Sequence, residues 1–455
     1  MADWPARAAL GRPFVSDTSR LARRAAHPVG GESGDISVTT AKSDRGSDVQ
    51  AGFQGADWAD RALPPDVKVT SLPLRTADGA AAKGILYAPP GADTVAIIMH
   101  PREFTPNHYL VPDLVGAGYA AWVQSPRSVG VDLRLEHEQA LLDLASGISR
   151  VRSLGYRRIV MLGNSGGASL HAFYIQQAQL APEHRIERTP AGGRTKLAAA
   201  EMPVPDAVVF VAPHPGQGVL LQACIDPSVA NEHDALSVDP ALNPLDPQNG
   251  FRPSEEGGAR YAREFVARYA AAQRARVERL DATARTLIRE RRDAQARVKA
   301  GGTAADRVRA AHTPVMTIWR TSADLRCFDL SLDPSDRKFG TVWGANPYAA
   351  NYGALGFARF CLPEAWLSTW SGLSSNAAIA KTGSSITQPT LVIEYTGDQT
   401  VFPGDIKGIV AAVGSSNMTH ERIRGDHHGR PLAAGEEPGR FIAGRMIVEW
   451  LRDAL

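Results

Sequence analysis

The chain of 455 residues has few cysteines, little net charge and no long apolar run. Its cysteines are odd in number and far apart, at Cys224, Cys327 and Cys361, which argues against a disulfide framework and against a zinc site. A formal net charge of only +2 gives no electrostatic reason to expect nucleic acid, and no apolar stretch is long enough to cross a bilayer. We therefore expect a cytoplasmic globular protein that binds neither nucleic acid nor membrane and that is large enough to be an enzyme.

The first sixty residues differ in composition from the rest of the chain. Residues 31–56 are dominated by Gly, Ser, Asp, Thr and Ala, a composition that buries too little apolar surface to become ordered alone. The arginines before them are mixed with small residues and prolines, without the apolar segment and cleavage site of a secretion signal. We predict a flexible N-terminal leader over residues 1–60.

Short apolar runs alternate with helical patterns after this leader. Alternating side chains at residues 67–75, followed by a turn at residues 77–79, predict an opening hairpin. Almost wholly apolar runs, typical of strands covered by helices on both faces, follow at residues 95–99, 120–123, 158–162 and 205–212. The same alternation resumes at residues 390–395 and 421–424. The sequence therefore predicts a mostly parallel sheet in an α/β fold.

A long interruption, residues 213–388, separates the two parts of this predicted sheet, where links of about two to six residues are usual. Within it, residues 261–300 are rich in Ala, Arg and Glu, contain no Gly or Pro, and predict a long helix or helical hairpin. The charges of this helix indicate either a solvated face or a contact between two copies of the chain, which would then form a homo-oligomer. We predict that the interruption is a mainly helical cap over an active site.

The sharpest local motif is Gly163-Asn164-Ser165-Gly166-Gly167. It follows a predicted buried strand and precedes a helical pattern at residues 168–179, so the chain must turn abruptly at Ser165. Such a turn strains the backbone of its central residue and leaves no room for side chains two positions to either side, where glycines stand here. An ordinary glycine-rich turn, or a phosphate-binding loop at a helix start, is the alternative. The strand and helix around the motif favour a nucleophilic serine.

With this motif in this context, the chain resembles the α/β-hydrolase family, and the resemblance covers most of residues 67–455 outside the predicted cap. It implies a mostly parallel eight-stranded sheet flanked by helices, with the large cap inserted between strands 6 and 7. Residues 61–212 would then be the first part of the hydrolase core, residues 213–388 the cap, and residues 389–455 the second part of the core.

The family places its acid after a later strand and its histidine after the last one, and this chain has candidates at both places. Asp398 is the predicted acid, although it could merely cap the following helix; Glu394 lies within the strand run and Asp405 in that helix, so both are less well placed. His427 and His428 follow the last strand. Only one imidazole can bridge the serine and the acid, and position favours His427 as the base.

A tetrahedral intermediate also needs two N–H donors aimed at its oxyanion. In the family, one comes from the residue after the nucleophile, here Gly166, and one from the loop after the third strand, here His100-Pro101-Arg102. Many family members have glycine where this chain has Pro101, which carries no N–H, so we predict the backbone amide of Arg102 as the second donor. The side chain of Arg102 is a further candidate for contacting an anionic substrate group.

Weaker predictions concern the substrate and cofactors. Four side chains are candidates for contacting the substrate, against the alternative that they are structural: Phe104, His214, Trp319 and Trp343. Three further histidines show no spacing typical of metal ligands: His100, His137 and His171. We therefore expect a small-molecule substrate and neither a metal nor a cofactor.

The resemblance thus predicts a hydrolase that cleaves a carboxylic ester of a small, apolar or aromatic molecule by acyl transfer through Ser165. Amides, thioesters and carbon–carbon bonds next to a ketone are alternative substrates for the same triad. A ligand-binding protein that keeps the scaffold without turnover is a hypothesis from another class. It predicts that a triad residue is missing or that the oxyanion hole is blocked.

Overall fold

The computed structural model describes residues 61–130, 132–354 and 356–455. The leader predicted over residues 1–60 lies outside the described residues. Within them the strands are β1 (Lys68–Arg75), β2 (Ala81–Ala88), β3 (Thr94–Met99), β4 (Ala120–Ser125), β5 (Arg158–Asn164), β6 (Ala207–Val211), β7 (Met316–Thr317), β8 (Phe360–Cys361), β9 (Thr390–Tyr395) and β10 (Met418–Ile423).

Eight of these strands form one sheet in the order β1-β2-β4-β3-β5-β6-β9-β10, while β7 and β8 pair separately. β2 runs antiparallel to both of its neighbours, and the remaining neighbours in the sheet pair in parallel. A largely parallel eight-stranded sheet with one antiparallel strand near its edge is the arrangement of the α/β-hydrolase fold. The predicted fold class is therefore confirmed.

The helices are α1 (Val111–Gly116), α2 (His137–Ser153), α3 (Gly166–Ala178), α4 (Gln217–Cys224), α5 (Arg263–Lys299), α6 (Ala304–Ala311), α7 (Pro347–Tyr352), α8 (Pro363–Ala365), α9 (Ile379–Thr382), α10 (Pro403–Ala412) and α11 (Gly439–Ala454). Apolar side chains of α2, α3 and α10 pack on one face of the sheet, and those of α1 and α11 on the other. Strands β3, β4, β6 and β9 are consequently buried at every residue. No helix in the described part of the chain is long and apolar enough to span a membrane.

The segment between β6 and β9 contains helices α4 to α9 and supplies most of the residues of a separate hydrophobic cluster, which Leu135 and Ala191 complete. The predicted helix at residues 261–300 is confirmed as α5, a single helix of 37 residues. Trp366 and Trp370 are the first and last residues of a π-helical turn, and both are fully buried against α5. The indole N–H of Trp366 donates to Asp281 of α5 at 2.8 Å, so the buried indole is both packed and hydrogen bonded.

Candidate active site

The turn between β5 and α3 holds Ser165 in a strained conformation. Its φ of 52° and ψ of −121° lie outside the regions that L-residues favour, at a cost of about 1–3 kcal/mol. A Cβ at Gly163 would lie 2.7 Å from the Cα of Ala168, and one at Gly167 would lie 2.8 Å from the carbonyl oxygen of Met99. Both contacts are with backbone, which cannot move aside. The two glycines therefore permit the sharp turn that presents Ser165 at the carboxyl edge of the sheet.

A continuous chain of hydrogen bonds links Ser165, His427 and Asp398. The Ser165 Oγ lies 2.9 Å from His427 Nε2, and His427 Nδ1 lies 2.6 Å from Asp398 Oδ2. The other carboxylate oxygen of Asp398 accepts the backbone N–H groups of Thr400 at 2.6 Å and Val401 at 3.0 Å. These amides fix the orientation of the buried carboxylate. The structure thus brings together the three residues predicted as nucleophile, base and acid.

The charges around His427 favour its protonated form. Burial alone would lower its pKa, but the adjacent Asp398 carboxylate, with smaller contributions from Asp426 and Glu103, raises the pKa above its ordinary value. The neighbouring His428 behaves in the opposite way, because burial and the proximity of His427 lower its pKa to about 4. Its Nε2 is buried without a hydrogen-bond partner in the described residues. Of the two adjacent histidines, His427 is the one hydrogen bonded to both the serine and the acid.

The two alternative acids are engaged in other interactions. Glu394 on β9 accepts a hydrogen bond from Arg422 at 3.1 Å and lies 3.1 Å from His420 Nε2. Asp405 in α10 accepts from the Arg326 guanidinium at 3.0 Å and from the backbone N–H of Phe402 at 3.1 Å. Neither carboxylate is the hydrogen-bond partner of His427.

A cavity of about 270 Å³ opens over Ser165. Its apolar lining residues are Ile98, Met99, Leu220, Val342, Trp343 and Phe357. The last four of these belong to the segment between β6 and β9, which therefore forms part of the cavity wall. Two of the four candidate substrate residues, His214 and Trp343, line this cavity.

The other two candidate substrate residues, Phe104 and Trp319, are a correction to the sequence analysis, because neither lines this cavity. Phe104 packs against the core on the α1 and α11 side of the sheet, with the Lys83 ammonium 5.5 Å from its ring centre. The indole N–H of Trp319 donates to the carbonyl of Glu232 at 3.0 Å, and its side chain lines a separate cavity of about 340 Å³. Their positions in the chain, near a strand end and within the insertion, did not reveal which way the rings point.

The loop after β3 also differs from the predicted oxyanion hole. Gly166 is the first residue of α3, so its N–H belongs to the first turn, whose amides have no partner within the helix. The backbone N–H of Arg102, however, donates to His100 Nδ1 at 3.2 Å, and the amide predicted as the second donor is already engaged. The Arg102 guanidinium is likewise held by Asp132, at 2.7 and 2.9 Å. The guanidinium that was predicted as a contact for an anionic substrate group is therefore already paired with a carboxylate.

Three polar side chains that the sequence analysis did not group together converge beside the nucleophile. A Cβ built on Gly166 would lie 2.9 Å from His100 Nε2, 2.9 Å from His214 Nε2 and 2.5 Å from Gln217 Nε2. All three side chains line the cavity. His100 and His214 follow β3 and β6, the two neighbours of β5, so their meeting could have been deduced from the strand order. No sequence signal indicated Gln217.

Burial lowers the pKa of His100 to about 3 and that of His214 well below its ordinary value, with the Arg102 guanidinium and neighbouring histidines adding to the effect in both cases. Both imidazoles are therefore neutral at physiological pH. Within the residues that the structure describes, no group of three or more His, Cys, Asp or Glu side chains could hold a metal ion.

Comparisons with known proteins find solved structures that resemble this chain, but no match to a protein family or to a curated sequence. No family model and no curated protein matches the chain. Among solved structures, DcsB in complex with a substrate analogue is 12% identical, with 85% of this chain and 99% of that one covered at a TM-score of 0.47. The Pyrococcus furiosus esterase Pf2001 is 9% identical, with 87% and 96% covered and a TM-score of 0.41. The Paleococcus ferrophilus monoacylglycerol lipase is 14% identical, with 85% and 100% covered and a TM-score of 0.38.

Proposed function

We propose that this protein is a serine hydrolase that cleaves carboxylic esters of small apolar or aromatic molecules. The observation that carries the proposal is the hydrogen-bonded chain from Ser165 through His427 to Asp398, with the serine on a strained strand-to-helix turn. A serine, a neutral imidazole and an orienting carboxylate in this order are the components of nucleophilic acyl transfer.

In the proposed reaction, His427 Nε2 takes the proton of Ser165 as Oγ attacks the ester carbonyl. The imidazolium formed is stabilised by Asp398, whose carboxylate already accepts from Nδ1. His427 then returns the proton to the leaving alkoxide, which departs as an alcohol and leaves an acyl group on Ser165. A water molecule, deprotonated by the same imidazole, releases the acyl group as a carboxylic acid.

The cavity supports a small substrate with an apolar acyl or alcohol group. Its volume of about 270 Å³ is near the lower end of the range for small-molecule sites, and six apolar side chains line it. We infer that the segment between β6 and β9 acts as a cap, because Leu220, Val342, Trp343 and Phe357 contribute to the wall above the serine. The cap would then set the size of ester that is accepted.

The test is covalent labelling with a small fluorophosphonate, followed by peptide mass spectrometry of wild type and Ser165→Ala. We expect an adduct on the peptide that contains Ser165 in wild type, and none in the variant. A panel of p-nitrophenyl esters, with matched thioesters, anilides and 1,3-diketones, then identifies the bond; esters of short acyl chains should react fastest. Wild type that neither labels nor turns over any of these would overturn the proposal in favour of a binding protein on this scaffold.

A further inference from the structure

The imidazole of His100 is fixed in one tautomer by the loop that follows it. The backbone N–H groups of Arg102 and Glu103 both donate to His100 Nδ1, each at 3.2 Å. A ring nitrogen that accepts hydrogen bonds carries no proton, so the proton of the neutral ring is on Nε2. His100 Nε2 is therefore a hydrogen-bond donor.

This donor lies beside the turn that carries the nucleophile. His100 Nε2 lies 2.9 Å from the point that a Cβ on Gly166 would occupy, and His100 lines the cavity over Ser165. Gly166 is the residue whose N–H is expected to contact the oxyanion. The absence of a side chain at this glycine is what lets the imidazole approach so closely.

We propose that the oxyanion hole of this protein combines the backbone N–H of Gly166 with the side-chain N–H of His100 Nε2, in place of a second backbone amide. The assignment rests on the proposed function, because it concerns the same acyl transfer. Two features of the loop support it. Pro101 carries no N–H, and the next amide, that of Arg102, is used to orient the His100 ring.

The charge state of His100 suits this role. Burial, assisted by the nearby Arg102 guanidinium, lowers its pKa to about 3, so the ring stays neutral through the pH range in which His427 works as a base. A neutral imidazole can donate to a developing oxyanion without supplying a proton that would compete with the acyl-transfer steps. The same low pKa prevents His100 from acting as a second general base.

Gln217 adds a further polar group to the same place. Its Nε2 lies 2.5 Å from the Cβ point on Gly166, and its buried Oε1 has no hydrogen-bond partner within the described residues. A buried amide oxygen without a protein partner is costly, and a polar substrate in the cavity would reduce that cost. We therefore expect polar substrate atoms to bind beside Gly166, within reach of this amide.

Two substitutions of His100 separate donation to the oxyanion from orientation of the loop. His100→Asn places an amide oxygen two bonds from Cβ, as Nδ1 is, so it keeps the acceptor for the loop amides and loses the Nε2 donor. His100→Gln places an amide nitrogen three bonds from Cβ, as Nε2 is, so it keeps the donor and loses the acceptor. We expect His100→Asn to lower kcat for a p-nitrophenyl ester by about 100-fold with a smaller change in KM, and His100→Gln to be less impaired.

A thionoester provides a readout that a merely structural role would not change. Sulfur accepts hydrogen bonds more weakly than oxygen, so loss of an oxyanion donor should slow the ester more than the matched thionoester. The rate for the ester divided by the rate for the thionoester should therefore be lower in His100→Asn than in wild type. The assignment is overturned if His100→Asn keeps wild-type kcat, if His100→Gln is the more impaired variant, or if the ratio is unchanged. Thermal unfolding of both variants checks that they are folded.

Failure of the proposed function gives a different result. In that case wild type itself shows no fluorophosphonate adduct and no turnover, and the assignment of His100 falls with it. If wild type labels and turns over while His100→Asn matches it in rate and in oxygen-to-sulfur preference, only the His100 assignment is wrong.

Discussion

Replacement of Asp398 by asparagine is the most direct test of how the triad is held. One carboxylate oxygen accepts from the amides of Thr400 and Val401, and the other accepts from His427 Nδ1. In Asp398→Asn the amide oxygen can keep the two backbone contacts, so the side-chain NH₂ faces Nδ1. Two donors cannot share a hydrogen bond. The imidazole must therefore carry its proton on Nε2, where it can no longer accept the proton of Ser165.

The expected loss follows from this change of tautomer. The equivalent substitution in serine proteases of the Ser-His-Asp type lowers kcat by about 10⁴-fold, with the geometry intact. That factor corresponds to about 5.5 kcal/mol of transition-state stabilisation. Because both backbone contacts to Asp398 are retained in the variant, we expect the same order of loss here, with KM much less affected.

The assay is hydrolysis of a p-nitrophenyl ester at equal enzyme concentrations. Near-UV circular dichroism and a thermal melt check that each variant is folded. Glu394→Gln is the matched control, because it makes the same carboxylate-to-amide change on β9, at a side chain that contacts Arg422 and His420 instead. It should keep wild-type kcat. An Asp398→Asn variant with more than about a tenth of wild-type kcat would refute the reasoning, since the wrong tautomer cannot sustain that rate.

Three further predictions follow from the same geometry. His427→Gln should lose activity by several orders of magnitude while His428→Gln keeps it, measured as kcat with the same ester; the reverse order would move the base to His428. Because the His427 pKa is raised and the base must be neutral, kcat/KM should fall as pH drops through a midpoint above 6.5, and a lower midpoint would contradict the raised pKa. Gly163→Ala should lower the free energy of unfolding, measured by urea denaturation, by about 1–3 kcal/mol, since its Cβ meets the backbone of Ala168. Gly408→Ala is the control; it has open space around it and should leave that free energy unchanged or raise it.

Much of the hydrolase core could be predicted because its local patterns have strong physical causes. Residues 390–395 form β9 with the predicted bounds, since a short run dominated by Leu, Val, Ile and Tyr between turns has few alternatives to a buried strand. The glycines around Ser165 indicated the elbow for a reason that the structure makes explicit, which is that Cβ atoms at Gly163 and Gly167 would strike backbone. The core helices α3 and α10 followed from the same alternation.

The segment between β6 and β9 and the details of the site could be predicted much less well. Side-chain direction in irregular segments depends on tertiary packing, which no local pattern records. Phe104 and Trp319 therefore could not be distinguished from Trp343, which does line the cavity. The amide of Arg102 was predicted to face the oxyanion because of its position in the loop. The competing acceptor, the ring nitrogen of His100, becomes visible only when the loop conformation is known.

The three glycines of the elbow are required for two different physical reasons, and this difference shows how the polar part of the site is built. Gly163 and Gly167 are required by contacts with backbone, which any protein with this turn would share. Gly166 is instead surrounded by side chains, the Nε2 atoms of His100, His214 and Gln217. A larger residue at this position would displace those polar side chains, whereas the backbone of the turn could stay in place. The glycine after the nucleophile is thus part of the polar site in this chain, and the choice of residue there is coupled to the histidine that replaces a backbone donor in our proposal.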